Sequence, residues 1–159
     1  MKNSLRTVVA AVGMVASLMP GLVAGQAEVL NNQSIVQMVT GKVPKNLILE
    51  KIRTTTGSFD VTPNALIALN KSKVSDDVIE AMMRTPTKVE SKEVITNDAV
   101  ILMVSGKLPK KIILLKIQLT KSKFDVTPAG LVSLTQNKVS ADVQKAMMTA
   151  ASLSKPSKT

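Results

Sequence analysis

The feature that most constrains this chain is an internal duplication. When the 159-residue sequence is shifted against itself by 65 residues, residues 30–83 align with residues 95–148 without a gap, and 27 of the 54 aligned pairs are identical. Self-similarity at a fixed period is the sequence signature of a repeat architecture. We therefore expect two copies of one structural unit at 28–83 and 95–148. A polar linker at 84–94 joins them, and a tail at 149–159 is expected to be flexible beyond its first turn.

Helix start and stop signals divide each copy into four short helices. Asn32 or Asn97 is predicted to cap the first helix, and Gly41 to end it as a residue able to adopt positive φ. A proline in the first turn suits the second helix. The third helix is predicted to open at a Thr–Pro pair and the fourth at a Ser. With the Phe–Asp pair before them, these residues form a motif present in both copies: Phe59, Asp60, Thr62, Pro63 and Ser75, then Phe124, Asp125, Thr127, Pro128 and Ser140.

The apolar residues favour helices over strands. In the fourth helix Val78, Ile79, Met82 and Met83 follow helical spacing rather than strand alternation. One stretch at 111–119 is β-branched enough for a buried strand, but its counterpart at 46–54 is more helical, and duplicated copies share one structure. The sequence therefore predicts an all-α protein with two tandem four-helix modules after an N-terminal signal peptide.

The first 27 residues have the layout of a secretory signal peptide. Lys2 and Arg6 precede an uncharged, mostly apolar run, and Gly25 and Ala27 supply small residues at a cleavage site. Cleavage is expected between Ala27 and Glu28, which makes the protein exported, periplasmic or secreted. The alternative is an uncleaved membrane anchor, because residues 7–24 carry no charge and approach spanning length.

Composition excludes several chemistries. The chain has no Cys, His, Trp or Tyr, so thiolate and imidazole nucleophiles, thiolate or imidazole metal sites and disulfides are impossible. Four serines lie near lysines, so composition permits a Ser–Lys dyad, but nothing resembles a nucleophile elbow. We expect no catalytic residue, no metal and no cofactor, and therefore a protein that is not an enzyme.

The repeated segments FDVTP and VSDDVIEAM at 59–63 and 74–82 resemble a helical repeat of exported bacterial proteins. That repeat places an FD-x-S/T-P segment, a leucine-rich helix and a V-S-D-x-V-I-x-A-M helix in succession. The resemblance covers both copies and implies an all-helical module of bacterial origin, but no activity. The chain departs from it in carrying Lys73 and Lys138 where such repeats carry Gly, and Pro44 and Pro109 where they carry a Ser cap.

Charge is divided unevenly between the copies. The full chain carries +10, and half of that charge belongs to the second copy, which has eight basic and three acidic residues, whereas residues 30–83 have a net charge of only +1. Six lysines around its second helix form a candidate basic binding face: Lys107, Lys110, Lys111, Lys116, Lys121 and Lys123. Such a face suits anionic lipid, lipopolysaccharide, a cell-wall polymer or an acidic protein, but a solvated surface that keeps the protein soluble is the favoured interpretation.

These features predict a non-catalytic exported repeat protein that acts through a protein partner or an envelope component. The alternative is a binder of anionic lipid, lipopolysaccharide or cell-wall polymer through the basic face. A third reading is a helix-turn-helix nucleic-acid binder at residues 66–83, which Asp76, Asp77 and Glu80 disfavour because they would face phosphates. The oligomeric state is left open.

Overall fold

A computed structural model describes residues 29–86 and 93–154, and this part of the chain is mostly helical. The all-α class is confirmed. The predicted signal peptide at 1–27 lies outside the described residues, as do most of the predicted linker and the end of the tail. The eight helices of the described part are α1 (Asn32–Thr40), α2 (Lys45–Thr54), α3 (Pro63–Lys71), α4 (Asp76–Arg84), α5 (Asn97–Ser105), α6 (Lys110–Leu119), α7 (Pro128–Gln136) and α8 (Ala141–Leu153).

The helices form four successive hairpins arranged in two layers. Each odd-numbered helix packs against the helix that follows it, and α2, α4, α6 and α8 lie side by side in the second layer. In the first layer α3 contacts α5, and α5 contacts α7. Aliphatic side chains between the layers, such as Ile35, Leu66, Ile79 and Leu134, form one core. The hairpins begin at residues 32, 63, 97 and 128, so each sequence copy contains two of them.

The two copies pack directly on each other through α3 and α5 in one layer and α4 and α6 in the other. At this junction Gly106 lies so close to Ile67 that a Cβ on the glycine would come within 2.6 Å of the isoleucine side chain. The Asn70 side chain also donates a hydrogen bond to the carbonyl of Lys107 (3.3 Å). The core is therefore continuous across the duplication boundary.

Lysines occupy the left-handed backbone position at four helix ends. Lys42, Lys73, Lys107 and Lys138 have φ between 57° and 62°. In each case the lysine N–H and the next N–H bond carbonyls in the last turn, as in Lys138 N to Thr135 O (2.9 Å) and Val139 N to Leu134 O (3.0 Å). This is the Schellman arrangement, which favours glycine because it has no Cβ. The prediction that the first helix ends at Gly41 is confirmed, but Gly41 has φ −73° and the positive φ falls on Lys42 instead.

The prediction that Asn32 and Asn97 cap the first helix of each copy was also wrong. Asn31 and Thr96 hold the cap positions. Asn97 lies one residue further on and clips a distant loop: its Nδ2 donates to the Asp125 carbonyl (2.8 Å) and its Oδ1 accepts from the Asp125 N–H (2.9 Å). Asn32 makes the same pair with Asp60. A side-chain amide carries both a donor and an acceptor, so Asn can pair with the N–H and the C=O of one residue.

Short extended segments tie the ends of the first hairpin in each copy together. β1 (Val94–Ile95) pairs in parallel with β2 (Lys121–Ser122), and Leu30 makes an equivalent bridge to Gly57. Residues at both ends of the predicted linker therefore belong to elements, because α4 includes Arg84 and β1 includes Val94. The first turn of the predicted tail continues α8 to Leu153, and the 111–119 stretch is helical within α6. None of the helices described is long and apolar enough to cross a membrane.

Candidate functional site

The structure does not bring the six predicted lysines together as one exposed basic face. Lys116 is only 2% exposed, and its Nζ lies 2.5 Å from a carboxylate oxygen of Glu93. It follows Ile112 by four residues and Ile113 by three, so helical spacing puts it on their buried face. The helical spacing in the sequence therefore already indicated that Lys116 is buried, and the assignment of Lys116 to a binding face was wrong.

Two other predicted lysines are exposed but pair with carboxylates. Lys110 contacts Asp142 at 2.5 Å, and the first copy repeats this pair as Lys45 with Asp77 at 2.6 Å. Lys111 reaches across the junction of the copies to Glu80, with 2.7 Å between nitrogen and oxygen. The remaining predicted residues are exposed and lie at the end of α5 and along the segment that follows α6: Lys107, Lys121 and Lys123.

The pKa shifts in these clusters follow from the ion pairs. The hydrogen bond from Lys45 lowers the pKa of Asp77, and the bond from Lys111 lowers the pKa of Glu80. The pKa of Lys111 is raised in turn by its hydrogen bond to Glu80. The hydrogen bond and charge of Lys110 lower the pKa of Asp142. These carboxylates therefore stay ionised and hold their lysines at neutral pH.

The Asp and Thr residues of the recurring motif organise a turn. The Thr127 hydroxyl donates to Asp125 Oδ1 (2.7 Å), and the Thr127 N–H donates to the same oxygen (3.0 Å). These bonds lower the pKa of Asp125. In the first copy the Thr62 N–H donates to Asp60 Oδ1 (2.9 Å). Asp60 and Asp125 thus stabilise the entry to the third helix of their copy rather than face a ligand.

The other motif residues pack against the core or begin helices. Phe59 is buried and Phe124 half-buried against the core. Ser75 and Ser140 stand at N-cap positions without a side-chain cap bond. The prolines open the third helix of each copy in its first turn: Pro63 and Pro128.

A groove that the sequence analysis missed lies between the C-terminal ends of α2 and α4. It has a volume of about 620 Å³, and its floor and walls include Ile52, Ala81 and the strand-like segment Thr55–Gly57. Arg53 and Arg84 both line it. We call this feature the arginine groove.

The two arginines distinguish the arginine groove from the rest of the protein. After residue 28 the chain contains no arginine except Arg53 and Arg84, and all its other basic residues are lysines. In the second copy the equivalent positions hold Gln118 and Thr149. The absence of arginine at both equivalent positions is a sequence signal that places the candidate binding site at the first copy, whereas net charge placed it at the second.

A second pocket adjoins the arginine groove where α4 meets α6. It has a volume of about 320 Å³, and Arg84 lines it as well. Lys110, Lys111 and Glu80 surround an aliphatic wall that includes Leu114. The two cavities share Arg84, so they adjoin each other along α2, α4 and α6, and four basic side chains line them: Arg53, Arg84, Lys110 and Lys111.

A third cavity of about 440 Å³ lies between the N-terminal ends of α5 and α7, and its lining includes Asn97, Lys123 and Asp125. A smaller one around Asn32, Ser58 and Asp60 is its counterpart in the first copy. The Asn side chains and Asp backbones of both cavities make the hydrogen bonds described above, so these residues stabilise the fold. Among residues 29–86 and 93–154 no group of three or more carboxylates could hold a metal ion.

Comparison with known proteins supplies no relative for this arrangement. Neither the protein-family models nor the curated proteins nor the solved structures gave a significant match. The resemblance to a helical repeat of exported bacterial proteins therefore remains a prediction, carried by the motifs of this sequence alone.

Proposed function

We propose that this protein is a non-catalytic exported scaffold, built of two tandem copies of one helical unit, that binds a protein partner in the cell envelope. The observation that carries the proposal is the row of four helices α2, α4, α6 and α8, which lie side by side across both copies. Helical hairpins stacked in this way build extended surfaces, and repeat proteins use such surfaces for binding.

The chemistry of this row supports a binding role. The two adjoining cavities lie along three of its helices and combine basic side chains with aliphatic ones. Exposed apolar side chains such as Leu47 on α2 and Met148 on α8 add anchors on the same layer. Mixed basic and apolar surfaces favour protein partners, whose interfaces are enriched in arginine and methionine.

Export rests on the sequence of residues 1–27, and its test is direct. Mass spectrometry of the protein recovered from the producing cells should give a chain that begins at Glu28. A full-length cytoplasmic product would reject export and would revive the nucleic-acid reading.

Site-specific photo-cross-linking in cells tests the binding surface. A photoreactive residue replaces Leu47 (55% exposed) or Met148 (43%) on the even-numbered helices, and Val132 (56%) or Leu102 (42%) on the odd-numbered ones. Because the two sets are matched in exposure, adducts at Leu47 and Met148 but not at Val132 and Leu102 are expected. Equal adducts at both sets would show that the row of helices has no special role.

Binding of anionic lipid, lipopolysaccharide or cell-wall polymer through the second copy is the alternative. Three of its six predicted lysines are buried or paired with carboxylates, which weakens a purely electrostatic face. Vesicles with anionic headgroups provide the test: tight, salt-sensitive binding that Lys107→Gln, Lys121→Gln and Lys123→Gln together abolish would favour this alternative.

A further inference from the structure

We propose that the arginine groove binds the carboxylates of an acidic polypeptide segment of the partner, which extends past Arg84 towards Lys110 and Lys111. This inference rests on the proposed function and names the chemistry of its ligand. It starts from the placement of Arg53 and Arg84 in one groove. Within the described part of the chain, the ten residues that line this groove include no acidic side chain.

The arginines have donors available for a ligand. Arg84 contacts Glu80 through Nε (3.0 Å), and Arg53 contacts Glu50 through one terminal nitrogen at 3.6 Å. Both pairs lie along single helices, and the arginine side chains are 56% and 77% exposed, so each pair contributes little. A guanidinium carries five N–H donors. Within the described residues, these pairs leave most of those donors directed to solvent or to a ligand.

Arginine rather than lysine at both positions indicates recognition of a planar anion. A guanidinium binds a carboxylate through two parallel hydrogen bonds, whereas an ammonium acts as a point charge. A surface that only needs solubility has no use for this geometry, and the chain meets that need elsewhere with lysine. The groove therefore has the side chains for specific binding of an oxyanion.

The surroundings favour carboxylates over phosphates. Helices α2 and α4 both end at the groove with the arginines in their last turns, and the partial negative charge of a helix C-terminus disfavours a doubly charged phosphate more than a singly charged carboxylate. Ile52, Ala81 and Pro86 supply apolar contacts beside the arginines, which suit the aliphatic part of a Glu side chain. Arg84 also lines the adjoining pocket with Lys110 and Lys111. An acidic segment that extends there meets two further cations, in competition with the carboxylates of Asp142 and Glu80 that already pair with them.

The test measures binding of a fluorescein-labelled decaglutamate peptide by fluorescence anisotropy with full-length protein. Arg53→Gln with Arg84→Thr installs the residues of the second copy. Lys71→Gln with Lys121→Gln removes the same charge from exposed sites away from the groove. At 0.1 M salt, where screening acts over about 10 Å, the arginine double variant should bind about tenfold more weakly and the lysine control less than about twofold.

A third variant separates geometry from charge. The variant Arg53→Lys with Arg84→Lys keeps both charges but lacks the guanidinium geometry. We expect its affinity for decaglutamate to fall nearly as far as that of the Gln/Thr variant. Circular dichroism melts of all three variants establish that they fold. Equal losses in the arginine variant and the lysine control, or full binding by the Lys variant, would overturn the inference, as would no binding by the unaltered protein.

Phosphate probes distinguish the ligand class. If a phosphoserine decapeptide or phosphatidylglycerol vesicles bind more tightly than decaglutamate and depend equally on the two arginines, the carboxylate assignment is wrong. Photo-cross-links at Leu47 and Met148 that persist in the arginine double variant would leave the proposed function standing while this inference falls. Loss of those cross-links along with decaglutamate binding supports both.

Discussion

Replacing Lys138 with glycine should make this protein more stable. Lys138 adopts φ 60° at the end of α7, where a residue with a Cβ is strained by about 1–2 kcal/mol. Glycine removes that strain but makes the unfolded chain more flexible, which costs about 0.5–1 kcal/mol. The expected net gain in the free energy of unfolding is therefore about 0.5–1 kcal/mol. For a chain of this size that corresponds to an increase in Tm of about 2–4 °C.

Two matched variants isolate the backbone effect. Lys138→Ala removes the same charge and side chain but keeps the Cβ, so it should not stabilise the protein. Lys145→Gly makes the same substitution inside α8, where glycine should cost about 1 kcal/mol. Urea titrations followed by circular dichroism at 222 nm suit a chain without Trp or Tyr. The reasoning fails if Lys138→Ala stabilises as much as Lys138→Gly, or if both glycine variants are destabilised alike.

Three further predictions concern the clips and ion pairs. Asn97→Ala should lower the free energy of unfolding by about 1–2 kcal/mol, because it removes both hydrogen bonds to the Asp125 backbone. Gln136→Ala at an exposed position of α7 should be near neutral in the same urea titration. Lys116→Ala should cost about 2–5 kcal/mol because it empties a buried position of α6 and removes the ion pair with Glu93, whereas Lys111→Ala at an exposed pair should cost far less, and equal costs would contradict the burial argument. The hydrogen bond between Glu80 and Lys111 lowers the pKa of Glu80 and raises the pKa of Lys111. This pair should therefore add to the free energy of unfolding between the ordinary pKa values of the two groups, 4.5 and 10.5. This stabilisation should be lost as the pH falls through the folded pKa of Glu80 or rises through the folded pKa of Lys111. The stability difference between the unaltered protein and Lys111→Met should therefore shrink at low and at high pH. A stability difference that does not change with pH would contradict this prediction.

The four lysines at positive φ also bear on the resemblance to a helical repeat of exported bacterial proteins. At Lys73 and Lys138 the resembling repeat carries glycine, and these are positions of positive φ in the structure. The same turn ends α1 and α5 at Lys42 and Lys107. A Lys followed by an apolar residue and then Pro or Ser marks all four turns in the sequence. That shorter pattern indicates four hairpins, although the 65-residue duplication drew attention to two modules.

The sequence by itself determined what depends on neighbours along the chain. Helical class, the start of α3 at Thr62–Pro63 and of α7 at Thr127–Pro128, and the helical state of 111–119 were all predicted, because caps, prolines and apolar spacing act within a few residues. Only the tertiary structure decided which helices pack across the duplication boundary, that Lys116 pairs with Glu93 in a buried position, and that Arg53 and Arg84 line one groove. Those contacts join residues more than 20 positions apart, and their formation depends on how helices stack in space, which local propensity does not encode.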